Sequence, residues 1–382
     1  MRKICVLTGT RAEYGLLKPI IRAIRNNPEL ELILIVSGMH LSRKFGETIN
    51  IIKEDNFDIN YTFEMNPKDD SNDAMAMAIG IGIQKIVDCF KNSNPDILLI
   101  LGDRIEVLAG VIAAAYMNIV IAHIHGGDIT RAGLDESARH AITKFAHIHF
   151  PATQKSAERI LKMGEDKWRV HVVGAPALDT ILNTPLLEKK ALEKELNLKL
   201  KKPFILMIQH SVSTQHKDAE KQIKETLETV KELKYQTLII YPNSDTGGRK
   251  IINQIELYAK EFQFIKIYKN LPYTVYLSLM KYADVMVGNS SSGIIESSSF
   301  KLPVVNIGIR QEGRERSNNI INVEHNKEKI ILAIKKALSI TFRNSLRDCK
   351  NPYGNGKTAQ EVVNVLSSIK INSKLLQKKI TY

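Results

Sequence analysis

The chain is poor in cysteine. Three residues, Cys5, Cys89 and Cys349, lie far apart among 382. That excludes a disulfide framework, and no CxxC pair suggests zinc. They fit a reducing cytosol, so the expected location is cytoplasmic. Tryptophan occurs once and aromatics make up 6%. The basic surplus, a formal net charge of +13, therefore lacks the aromatic interleaving of a nucleic-acid surface. Its lysines are scattered, as in KLLQKKITY, and read as a solvated face, so no nucleic-acid partner is expected. No apolar run reaches about 18 residues, so no membrane span is expected either. The opening MRKICVLTGTRAEYG turns polar too soon for a signal peptide and reads as a first strand. Neither GxxxxGKS/T nor GxGxxG occurs, which argues against a P-loop and against a nicotinamide cofactor.

What is present is an alternation that runs twice. KICVLTGT is an apolar run that stops at Gly-Thr, and AEYGLLKPIIRAIRNN then carries apolar residues at helical spacing. LELILIVSG, DILLILGD, IEVLAGVIAAAYM, NIVIAHIHGGD, HAITKFAHIHFPA and RVHVVGAP continue it to about residue 176. Near Lys202 the plan restarts with KPFILMIQHS, followed by YQTLIIYPNSD, FQFIKIYKNL, ADVMVGNSS and LPVVNIGIRQ. Continuous apolar runs flanked by helical patterns indicate parallel strands buried on both faces. The expected fold is α/β, with two Rossmann-like, doubly wound domains facing a cleft. The first domain spans 1–180 and is completed by a closing helix near 357–382. The second spans 181–356 and holds the nucleotide. The charged stretch from about 183 to 202 is the expected helical connection.

Ligands of such sheets bind beyond the carboxyl ends of the strands. GTRAEYG, GDR, HIHGGD, QHS, PNSD, GNSSSG and IGIRQEGR each follow a strand run, which makes them the candidate site loops. GNSSSGIIE combines glycines, the hydroxyls of Ser290 and Ser291, and the amides of a following helix, a combination suited to phosphate. Glu296 suits two ribose hydroxyls; the other reading is an ordinary cap with Glu296 in the first helical turn. Arg310, Arg314 and Arg316 offer forks for diphosphate or carboxylate, or form a solvated loop. Arg11 follows the first strand and offers a cation for a pyrophosphate. Asp103 ends a strongly apolar strand with Arg104 next to it, as a catalytic carboxylate or as a helix cap. HIHGGDITRAGLDESARHAITK is the densest cluster, with His123, His125, Asp128, Asp135, Glu136, Arg139 and His140. Histidines among carboxylates suit metal binding or acid–base work. His210 again stands at a strand exit.

Together these motifs resemble the UDP-N-acetylglucosamine 2-epimerase family over nearly the whole chain. RHAITK and RQEGR are similar to its hydrolysing branch, which serves sialic-acid-type sugar synthesis. The resemblance implies a GT-B-like architecture, a UDP-sugar substrate, no cofactor, no metal and a homo-oligomer, dimer or tetramer. It implies that Arg11, Arg104, His210, Asn243, Ser290, Ser291, Glu296 and Arg310 bind the substrate. It also implies that Asp103 and Asp135 are catalytic. Many relatives carry glutamate in an H-x-E-x-G motif where this chain has His125. The acid–base role then falls to His125, or moves to Asp128, Asp135 or Glu136. The implied reaction eliminates UDP and the C2 proton to give a 2-acetamidoglucal, which hydration converts to free ManNAc. A diacetylbacillosamine substrate, for legionaminic acid, is the alternative, and a GDP-linked sugar a further one. A GT-B glycosyltransferase and a non-catalytic nucleotide-sugar sensor are the remaining readings.

Overall fold

The computed structural model describes residues 1–43, 46–65, 72–129, 134–242, 247–269, 271–379 and 381. They form two compact units. One holds Met1–Asp128, Leu134–Leu182 and Tyr353–Tyr382; the other holds Ile129–Gly133 and Asn183–Pro352.

The first unit contains β1 (Arg2–Thr8), β2 (Leu30–Ser37), β3 (Tyr61–Phe63), β4 (Ile97–Leu101), β5 (Val120–Ile124) and β6 (Ile148–Phe150). Their order is β3-β2-β1-β4-β5-β6, and every described pairing is parallel. The period of two along β1 explains its apolar run. Ile4 and Val6 enter the core beneath the helices Arg11–Arg25 and Thr358–Ser368. Cys5 and Leu7 enter the core on the opposite face, beneath Asn72–Ser93 and Ile105–Tyr116. The helix Ile105–Tyr116, uniformly apolar in sequence, buries Val107, Ala109, Gly110, Val111, Ala113 and Ala114, so it serves the core. Only Tyr116 at its end is largely exposed.

The second unit contains β7 (Phe204–Ile208), β8 (Gln236–Ile240), β9 (Ile265–Tyr268), β10 (Val285–Gly288), β11 (Val304–Ile307) and β12 (Ile320–Val323). They lie in the order β12-β11-β10-β7-β8-β9, again parallel. Read from the first strand of each unit, this is the same doubly wound order twice. The fold is α/β and GT-B-like.

Four details differ from expectation. The units part between Leu182 and Asn183 rather than at 180/181, because the helix Pro176–Asn183 belongs with the returning chain. That return begins at Tyr353 rather than 357. The Ala175 amide donates to the Tyr353 carbonyl at 2.7 Å, and Asp179 accepts from the amides of Thr358 and Ala359 at 2.9 and 2.6 Å, capping the closing helix. Ile129, expected in the first domain, packs against Gly313 of the second unit. RVHVVGAP, read as a strand, makes only an isolated bridge between Val170 and His149.

Candidate active site

Parallel strands put their carboxyl ends on one edge of each sheet, and the candidate loops emerge there. In the first unit, Arg11 opens the helix Arg11–Arg25, behind the cap Thr10. It is half-buried, which lowers its pKa. Glu13, in the same turn, is buried and accepts from the Gly9 amide at 2.7 Å. Burial raises its carboxyl to about 7, against the pull of that bond. Arg104 pairs with the buried Glu106 at 3.2 and 3.4 Å. Neither Glu13 nor Glu106 stands out in the sequence.

Asp103 follows Gly102, whose peptide is tied on both sides to the neighbouring strand. The Gly102 amide donates to the Ile124 carbonyl at 3.1 Å, and the Gly102 carbonyl accepts from His123 Nε2 at 2.8 Å. His123 is fully buried and burial lowers its pKa to about 3, so it is a neutral structural donor. Asp103 pairs with Arg139 Nη2. Arg139 Nη1 donates to Glu136 Oε2 at 3.1 Å and to the Asp128 carbonyl at 3.0 Å. His140 Nε2 lies 3.1 Å from Glu136 Oε1. Arg139 is thus the buried cation that joins Asp103, Asp128 and Glu136.

His125 sits in the left-handed region at φ +64°, rare for a residue with a Cβ. Gly127, at φ +75°, follows; a Cβ there would fall 2.2 Å from the Ser156 carbonyl oxygen. This tight loop sets Asp128 Oδ2 3.0 Å from His125 Nδ1. Asp128 Oδ1 accepts from Ser156 Oγ at 2.7 Å. With Nδ1 donating to a carboxylate, Nε2 is the ring nitrogen left to take or give a proton. Asp128 is spent on holding His125. Asp135, in the first turn of the helix Leu134–Phe145, is exposed. Among the described residues no group of three or more His, Cys, Asp or Glu is arranged to hold a metal.

In the second unit, β10 leads into the serine loop through Gly288 at φ +131°, where a Cβ would fall 1.9 Å from the Ile208 carbonyl oxygen. Asn289 is the hub of this edge. Its side chain accepts from the His210 amide at 2.7 Å and donates to the His210 carbonyl at 2.9 Å. Its own carbonyl accepts from Arg310 Nη1 at 3.2 Å and Gln311 Nε2 at 2.9 Å. Asn289 lies inside the GNSSSG motif, where nothing in the sequence marks it for this bridge. His210 is buried, and burial with the nearby Arg310 charge lowers its pKa to about 3, so it acts as a neutral imidazole. Ser290 Oγ accepts from the Ser292 amide at 3.4 Å, and Ser291 caps the helix Ser292–Ile295 without a side-chain bond. That helix is one turn long. Its Gly293, Ile294 and Ile295 amides are spent on Ser290 and Ser291 carbonyls. The outward-pointing amides expected there are correspondingly fewer, and Glu296 ends this turn instead of standing in a first one. Glu296 Oε1 accepts from Tyr273 at 3.1 Å, while Oε2 is buried and meets no hydrogen-bond geometry among the described residues. Burial raises its carboxyl to about 7, opposed by Ser292 and Tyr273. Asn243 lies outside the described residues.

Two doubly wound sheets with these loops at their carboxyl edges define a GT-B-like protein. Residues 22–367 match the family described as UDP-N-acetylglucosamine 2-epimerase. The Legionella pneumophila protein named UDP-N,N'-diacetylbacillosamine 2-epimerase (hydrolyzing) is 36% identical over 386 residues, all of both chains. The Campylobacter jejuni protein named GDP/UDP-N,N'-diacetylbacillosamine 2-epimerase (hydrolyzing) is 38% identical over 327 residues, 85% of each chain. The Methanocaldococcus jannaschii UDP-GlcNAc 2-epimerase, solved in complex with UDP-GlcNAc and UDP, shares the fold with a TM-score of 0.80 at 24% identity, over 96% of this chain and 99% of that one. The chain belongs to the UDP-N-acetylglucosamine 2-epimerase family and, with these relatives, to its hydrolysing branch. It is an enzyme of that kind.

Proposed function

We propose that this enzyme converts a UDP-linked 2-acetamido sugar to UDP and the free 2-epimer, and that the sugar is N,N'-diacetylbacillosamine. The names of the Legionella and Campylobacter relatives support that sugar. The sequence alone ranks UDP-N-acetylglucosamine first; the family description keeps it as the second reading. The observation that carries the chemistry is the His125–Asp128 pair, linked through Arg139 to Asp103.

Inversion at C2 needs one group to remove a proton and another to return one from the opposite face. The C2 hydrogen is not acidic, so the C1–O bond to UDP breaks first and leaves oxocarbenium-like charge. Asp103 is assigned to that charge and to the proton leaving C2. C1 and C2 then share a double bond, and UDP departs. His125 is assigned to the return: Nε2 takes a proton from solvent and passes it to C2 from the other face, and the water that adds at C1 gives its own proton back to Nε2. Asp135 and Glu136 are held as supporting carboxylates, Glu136 through Arg139.

The second unit is assigned the nucleotide. Arg310, Ser290 and Ser291 are assigned to the diphosphate; in the first unit, Arg11 and Arg104 are assigned to substrate binding. His210 adds a neutral contact and Asn243 a further one. Glu296 accepts the ribose hydroxyls. Ionised, Glu296 only accepts; protonated, it loses its charge and carries a donor on one oxygen, so UDP affinity is expected to fall as pH drops through about 7. Glu296→Gln removes the carboxylate that titrates. The pH slope of the wild type minus that of the variant, read by calorimetry, is its contribution; identical slopes exclude Glu296 from the ribose. The sugar is tested by initial rates of UDP release from both UDP-sugars. A higher kcat/KM for the diacetamido sugar is expected. The reverse order restores the N-acetylglucosamine reading, and no release from either sinks both.

A further inference from the structure

The helix Leu134–Phe145 carries Glu136, Arg139 and His140 near its start. Its other end is held from far away in sequence. Lys378 Nζ reaches the carbonyls of Lys144 and Ala146 at 2.7 and 2.6 Å and Glu165 Oε2 at 2.9 Å. An ammonium has three N–H donors, and these three acceptors use them all. Two are at the helix's carboxyl end, where a cation is favoured. Glu165, whose side chain is 1% exposed, also accepts from Lys144 at 2.6 Å and His149 Nε2 at 3.2 Å. Burial brings the Lys378 ammonium down to about 8, with Glu165 opposing the fall.

The rest of the tail is fastened too. Arg169, 1% exposed, donates to the carbonyls of Lys374 and Leu375 at 2.7 and 2.8 Å and to that of His147 at 3.2 Å. Leu375 is fully buried in the core. A tail that only covered apolar surface would need Leu375 alone. Burying an ammonium, a guanidinium and a carboxylate is costly unless each is answered in fixed geometry. That cost is repaid in position, because a helix is a rigid rod and holding one end sets the other.

We propose that Asn372–Lys378 is a strap that positions the acid–base helix, with Lys378 as a positioning residue for Glu136, Arg139 and, through Arg139, Asp103. This rests on the hydrolysing-epimerase reading for its kinetic consequence, but not for its structural one. Misplacing reacting groups by a fraction of an ångström is costly, so Lys378→Met is expected to lower kcat by about tenfold to a hundredfold. UDP affinity stays unchanged. A chain ended after Gln377 keeps Leu375 and both carbonyls held by Arg169, and is expected to behave alike. Lys378→Cys alkylated with 2-bromoethylamine regains an ammonium and recovers most of kcat; wild type treated identically controls for Cys349. Trp168, the single tryptophan, lies 5.0 Å from Lys374 Nζ and 4.3 Å from Arg169 Cζ, so its emission reports the docked strap. Amide exchange along 134–145 is expected to quicken in both variants. Wild-type kcat in both overturns the kinetic role, as does loss that the aminoethylated variant fails to recover. Unchanged exchange along 134–145 overturns the strap itself, even if the wild type proves to act on no UDP-sugar.

Discussion

Asp103→Asn is expected to lower kcat by about a thousandfold while UDP affinity holds. The side chain is nearly isosteric and the loop is fixed by backbone bonds, since the Gly102 peptide hangs between Ile124 and His123. What changes is charge. An amide cannot stabilise the developing cation as a carboxylate does, and it offers no base to C2. It also removes one of the carboxylates around Arg139, leaving Glu136 at 3.1 Å and the nearby Asp128 charge. Some loss of stability follows from that buried guanidinium, so the melting temperature is measured alongside. A variant that is folded, binds UDP and is silent fits the role. Near-normal kcat removes Asp103 from the reaction.

The second large effect is at His125. His125→Gln is expected to cost about 10²- to 10⁴-fold in kcat, the range for losing a positioned acid–base group. Asp128→Asn is expected to cost less. The imidazole stays, but its Nδ1 loses the carboxylate that fixes which nitrogen carries the proton. If the two act as a unit, the double variant loses little more than His125→Gln alone. Additive losses would mean that Asp128 has separate work. A wild-type rate for His125→Gln would pass the proton return to Glu136 or Asp135.

Most of the fold was legible because parallel strands buried on both faces leave continuous apolar runs such as ILLIL and FILMI. The exceptions have local causes. Asn72–Ser93 carries AMAMAIGIGI, with no polar face to mark a helical period. β3 and β12 are edge strands of three and four residues, too short to show alternation. RVHVVGAP has the composition of a strand. It follows the turn Lys167–Arg169, whose arginine is taken inward by the C-terminal tail.

The candidate site was legible at strand exits and opaque elsewhere. Asp103, His125, His210 and Glu296 stand out because polar residues interrupt or end apolar runs. Arg139 was visible in RHAITK, but nothing in the sequence says that its guanidinium reaches Asp103 and Asp128. Asn289 stands inside the serine motif, and its bridge to His210 joins residues 79 apart. Glu13 and Glu106 look like ordinary first-turn acids, and only the fold buries them. Lys378 sits in a lysine-rich tail that reads as solvated, yet one of those lysines is sealed against Glu165.

The measurement that reaches furthest is a proton NMR time course in D₂O with the diacetamido UDP-sugar. UDP and the free 2-epimer are expected to appear together, with deuterium at C2 of the product. That pattern requires loss of the C2 proton, exchange on the enzyme and return from the opposite face. Release of UDP with the starting configuration and protium kept at C2 would contradict it, and would mean that the nucleotide leaves without epimerisation.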